Sequence, residues 1–107
     1  MPAAAVDDPV LRRFRAALDA LYGDRIERVV LFGSRARGDA HEDSDYDIAV
    51  FLTDLTDRWR EVDRIVPLVT DILYEDGVFI HAMPHRAAAY DARTSLMGEI
   101  RRDGIDL

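Results

Sequence analysis

A chain of 107 residues suffices for one small hydrophobic core and excludes a core with an added substrate domain. It lacks cysteine, so disulfides and thiolate metal sites are excluded, and no apolar run approaches membrane-spanning length. Formal net charge is −7 with arginine as the only basic residue type besides histidine, which disfavours a DNA or RNA backbone as ligand and favours a basic protein partner. A hydrophobic content of 49% reads as globular rather than disordered. Met1 to Ala5 carries no basic stretch of the kind that opens a signal peptide, so the cytoplasm is the expected location.

In chain order, Asp7-Asp8-Pro9 marks a helix start, with an aspartate at the cap and proline in the first turn. Val10, Phe14, Ala17, Leu18 and Leu21 then recur at helical spacing, predicting one amphipathic helix over 8–22 that Gly23 ends. Tyr22 reads as the edge of the core. Ile26 to Phe32 reads as a first strand, residues 34–37 as a short helix, 39–44 as a polar loop and 46–52 as a second strand. His41, in that loop, is expected to be merely solvated.

Asp57 can cap a long helix carrying Trp59, Val62, Ile65, Val66, Val69, Ile72 and Leu73 at helical spacing. Pro67 should kink it or loosen a bond near Asp63, and Gly77 marks the turn out. Trp59 is expected to anchor the core, although a partly exposed face would suit a partner contact. Val78 to Met83 reads as a third strand stopped by Pro84, residues 86–92 as a short helix, and Thr94 or Ser95 as the cap of a last helix through Arg102. Gly104 suits the residue after that helix, and Ile105-Asp106-Leu107 is an apolar tail able to dock back. The expected fold is α/β (α+β): a small mixed sheet with helices packed on it, residues 1–107 forming a single domain.

The chemistry-bearing stretch is Leu31-Phe32-Gly33-Ser34-Arg35-Ala36-Arg37-Gly38, followed by Ser44-Asp45-Tyr46-Asp47. Gly33 permits a tight turn and close approach of a ligand, and Ser34 sits where a helix cap would, so free amides and a hydroxyl form an anion site. Asp45 and Asp47, two apart on a strand, project to one side, whereas Tyr46 faces away. Two neighbouring carboxylates repel unless a cation such as Mg²⁺ lies between them. Phosphate cradle and metal clamp at one point are the parts that phosphoryl transfer requires.

With these residues the chain resembles the polymerase-β-type nucleotidyltransferases, and in its Gly-Ser-x-Ala-Arg-Gly…Ser-Asp-x-Asp wording their smallest members, the minimal nucleotidyltransferases. The close match covers residues 29–52. The resemblance implies nucleotide binding at Gly33, Ser34 and Arg37, with Asp45 and Asp47 catalytic and holding two Mg²⁺ ions once ATP is bound. It further implies an antitoxin, paired with a co-encoded, all-helical HEPN-type toxin, that transfers AMP to a tyrosine hydroxyl of that toxin. A homo-oligomer, or a hetero-oligomer with the partner, is compatible with it. A third carboxylate that the family usually supplies from the neighbouring strand is missing. On Val78 to Met83 the polar residue is His81, a possible stand-in, and Glu75 and Asp76 lie only just before it; His85 is a weaker candidate. Slow activity, a base from the partner, or no activity would follow. Arg35 and Arg37 flank the turn and could neutralise phosphate or pair with Asp39, Glu42 or Asp43, the latter preferred for Arg35. Two other readings stand beside this one: a catalytically degenerate fold that neutralises a partner by binding alone, and a small-molecule nucleotidyltransferase.

Overall fold

The computed structural model describes residues 7–107. The first helix, α1 (Pro9–Tyr22), starts where Asp8 accepts the Val10 N–H at 2.8 Å, with proline in the first turn. A 3₁₀ turn, Gly23–Arg25, leads into β1 (Ile26–Phe32). A single helical turn, α2 (Ser34–Arg37), and a polar loop return the chain along β2 (Tyr46–Leu52), antiparallel to β1, with Phe32 opposite Asp47.

The long helix α3 (Arg58–Asp76) is capped by Asp57 and runs through Pro67 without a break. The proline ring lies on the exposed face, where the unpaired Asp63 carbonyl, also exposed, can reach water. Next come β3 (Ile80–Arg86), parallel to β2, and a 3₁₀ turn, Ala87–Asp91. Helix α4 (Ser95–Asp103) is capped by Thr94, which accepts the Met97 N–H at 3.1 Å. The tail docks back as β4 (Ile105–Asp106), antiparallel to β1. The sheet order is β3-β2-β1-β4, so the sheet is mixed and the architecture α+β, as expected.

Alternation along the strands divides the core. Val29 and Leu31 of β1 and Tyr46, Ile48, Val50 and Leu52 of β2 face α1 and α3, packing on Leu11, Phe14, Leu18, Ile65 and Ile72. Val30, Ala49 and Phe51 face the other layer, against Met97 and Ile100 of α4. Among the described residues no helix is long and apolar enough to cross a membrane.

Three expectations need correction. Strand β3 does not stop at Pro84 but runs to Arg86, because it lies at the sheet edge. Its ladder begins with the Phe79 carbonyl accepting the Tyr46 N–H at 3.0 Å, and alternation turns the Pro84 nitrogen to the open side, where no donor is needed. Second, Trp59 is not a core anchor; it is 69% exposed, and Val66 and Leu73 are exposed beside it. The core takes the line Ile65, Leu68 and Ile72, one row further round the helix. Third, the helix cap at α2 is Gly33, and Ser34 is the first helical residue, its hydroxyl making no capping bond.

Glu61 is the residue that apolar patterning misses. It is buried, yet its carboxylate accepts from the Tyr22 hydroxyl at 3.0 Å and pairs with Arg25 at 3.1 Å and Arg64 at 3.6 Å. Burial, followed by the hydrogen bond to Glu61 and its charge, pushes the Tyr22 pKa up. Arg25, held by Asp54 and then Glu61, is raised in turn.

Candidate active site

The candidate site lies at the end of the sheet where β1 finishes and β2 begins. Gly33 adopts φ +75° and ψ −158°, a conformation essentially reserved for glycine. A Cβ at this position would collide with the Asp47 carboxylate, so the turn and the acid are in direct apposition. The Ala36 and Arg37 amides both close on the Gly33 carbonyl at 3.1 Å. That leaves the Ser34 and Arg35 amides without an intrahelical acceptor, next to the half-buried Ser34 side chain.

Asp45 precedes β2 and is exposed; Asp47 is half-buried on the strand. Between them Tyr46 turns into the opposite layer, as expected, so alternation puts the Asp47 carboxylate on the α4 side of the sheet. The Tyr46 hydroxyl donates to Asp8 at 2.6 Å, and the Arg35 guanidinium lies 4.0 Å above the ring. Burial, the bond to Asp8 and the charge of Asp8 push the Tyr46 phenol up to about 12.

Arg35 does not pair with an acid. Its Nε and Nη2 donate to the Ser44 carbonyl at 2.9 and 2.7 Å, and Nη2 also donates to the Glu42 carbonyl at 3.2 Å. It therefore straps the loop before Asp45. Arg37 is engaged by Asp39 at 3.4 Å and Glu99 at 3.3 Å, at the surface where such pairs exchange readily with other anions. His41 is exposed in the loop, and its backbone N–H donates to the Ser44 hydroxyl at 2.8 Å.

His81 stands opposite Asp47 in the parallel register, with Nδ1 3.6 Å from Oδ1. Among the described residues no three acids or histidines gather into a metal cluster. Glu75 and Asp76 pair instead with Arg13 of α1, at 3.6 and 2.7 Å. His85 lies four residues further along β3, its ring 5.5 Å from that of Phe51. Burial, and secondarily the charge of Arg58, push its pKa down.

The donor set is oxygen-rich: two carboxylates, with amides and a hydroxyl beside them. It fits Mg²⁺ shared with phosphate oxygens and water, and falls short of an all-protein cage.

A mixed four-stranded sheet with helices in this order is the nucleotidyltransferase fold. The chain belongs to the nucleotidyltransferase domain family, which matches residues 11–96, and is a nucleotidyltransferase enzyme. Two relatives from Methanocaldococcus jannaschii are provisionally named protein adenylyltransferases. One is 24% identical over 98 residues, spanning 92% of this chain and 95% of the relative. The other is 36% identical over 77 residues, spanning 72% and 71%. Among solved structures, a toxin–antitoxin complex with AMP-PNP contains a chain of similar fold, at TM-score 0.59 and 23% identity, covering 87% of this chain and 68% of that one. A complex of a tri-AMPylated Shewanella oneidensis HEPN toxin with its MNT antitoxin gives TM-score 0.51 at 18% identity, covering 91% and 70%.

Proposed function

We propose that the protein transfers AMP from ATP to a hydroxyl of a protein partner, the partner being a helical HEPN-type toxin and the modification its silencing. The observation that carries this is the packing of the Gly33 turn against Asp47, which brings an amide-rich bend and an acid together at one strand end. The fold neighbours in toxin–antitoxin complexes and the relatives named as protein adenylyltransferases support the choice of acceptor.

In this reading the Ser34 and Arg35 amides and the Ser34 hydroxyl hold the β and γ phosphates. Asp45 and Asp47 would hold Mg²⁺, which when bound neutralises phosphate charge and polarises the α phosphorus. Arg37 exchanges Asp39 and Glu99 for a phosphate oxygen. The acceptor oxygen bonds to the α phosphorus as the bond to the pyrophosphate oxygen breaks. His81 is the base nearest the acidic pair and takes the hydroxyl proton. Imidazole at this place, where the family resemblance implies a carboxylate, leaves fewer oxygen donors, and slow turnover follows.

The test is incubation with Mg²⁺, labelled ATP and the co-encoded helical protein. Label should appear on the helical protein and vanish when Asp45→Asn and Asp47→Asn are combined. No label from the native chain, with neutralisation surviving the double substitution, would establish binding alone as the mechanism.

A further inference from the structure

The exposed side of α3 carries an apolar row of which Val69 packs against the core, while Trp59, Val66 and Leu73 stay exposed. Trp59, Val62, Val66, Val69 and Leu73 recur at spacings of three and four, the heptad rhythm of a helix that packs along a second helix. A separate row, containing Ile65 and Ile72, already faces the sheet. The outer row has Trp59, Val66 and Leu73 exposed, with Val62 and Val69 half-buried. Tyr74, at 86% exposure near the end of the helix, and Phe79, just beyond it, are exposed as well.

Position gives the row its meaning. The C-terminal end of α3 turns at Gly77 into β3, and the Phe79 carbonyl bonds the Tyr46 N–H between the two candidate acids. Leu73, Tyr74 and Phe79 therefore lead toward the sheet end that holds Asp47 and His81. Charge identifies the occupant. The first half of the helix carries Arg58, Arg60 and Arg64; from residue 65 to 76 it carries Asp71, Glu75 and Asp76, the last two paired with Arg13, in a chain of net charge −7. A second copy would bring two chains of net charge −7 together, whereas a basic helix would offset that charge.

We propose that this row is the docking surface for an amphipathic helix of the protein partner, apolar along its seam and basic beside Asp71 and Glu75. Docking there sets the acceptor hydroxyl at the candidate site. The proposal rests on the protein-acceptor reading above and adds the surface through which the acceptor is held.

The experiment measures affinity for the co-encoded helical protein by calorimetry and gel filtration, with label transfer assayed in parallel. Val66→Asp and Leu73→Asp each place a carboxylate in the seam and should weaken binding roughly 30-fold or more, and Trp59→Ala about tenfold. Melting temperature and binding of a fluorescent ATP analogue should stay unchanged, because these side chains are exposed and outside the site. Asp45→Asn with Asp47→Asn should abolish label and leave affinity intact. Undiminished affinity in Leu73→Asp and Val66→Asp overturns the docking surface even if transfer proceeds. Loss of binding in those variants, with no transfer by the native chain, upholds the surface and removes the catalytic reading. A native dimer that Val66→Asp converts to monomer, with partner affinity unchanged, assigns the row to a second copy and overturns the proposal, as does a native chain that fails to bind the helical protein.

Discussion

Substituting Gly33 by alanine separates two costs that the structure superimposes. At φ +75° and ψ −158° an alanine backbone is strained by about 1–3 kcal/mol. Its Cβ also meets the Asp47 carboxylate, and forcing that group aside adds roughly 1–3 kcal/mol, as overpacking does. Gly33→Ala should therefore destabilise by roughly 2–6 kcal/mol, lowering the melting temperature of a chain this size by about 10–25 °C. Gly38, at φ +86° with open space around it, is the control: alanine there bears only the left-handed penalty, about 1–2 kcal/mol. The decisive measurement is a double-mutant cycle by urea denaturation. In an Asp47→Ala background the colliding oxygen is absent, so Gly33→Ala should cost about 1–3 kcal/mol less than in the native chain. Costs that add within about 0.5 kcal/mol would show that the turn and the acid are not in apposition, and the candidate site would lose its basis.

Two further predictions concern polar groups drawn into the core. Arg25→Ala strips the buried Glu61 of a partner at 3.1 Å and should cost about 2 kcal/mol in urea denaturation, less than a fully buried pair because Arg25 is itself partly exposed; a loss below about 0.5 kcal/mol would refute the account. Tyr46, raised to about 12 against an ordinary 10, favours the neutral phenol in the folded state. Its contribution is complete below pH 10 and drains away as pH rises through 12; Tyr46→Phe should abolish that alkaline loss while costing about 1 kcal/mol at neutral pH. Absorbance at 295 nm, native minus variant, checks it, and a midpoint near 10 would contradict the burial and the bond to Asp8.

The apposition of the Gly33 turn and Asp47 was legible because turn chemistry and strand alternation are local. Gly33 had to be glycine for its backbone, and Asp45 and Asp47 flank a residue whose hydrophobic body seeks the core. What failed was decided by neighbours. Trp59 and Ile65 carry the same periodic signal, and only the placement of the sheet determines which row it covers. Pro84 reads as a strand stop until the strand is known to be at an edge. Glu61 is a surface residue by type, and its burial depends on Arg25, 36 positions away in sequence. The facing of His81 and Asp47 is a register fact, visible only once β2 and β3 are paired.

The proline near the end of β3 has one more consequence. An uncovered strand margin ordinarily invites another chain to zip onto it, the first step toward filaments. Here the outward row of donors is interrupted at Pro84, while His81 and Arg86 bring polar and charged side chains to the same margin. Among the described residues, the strand margin itself thereby discourages lateral growth of the sheet.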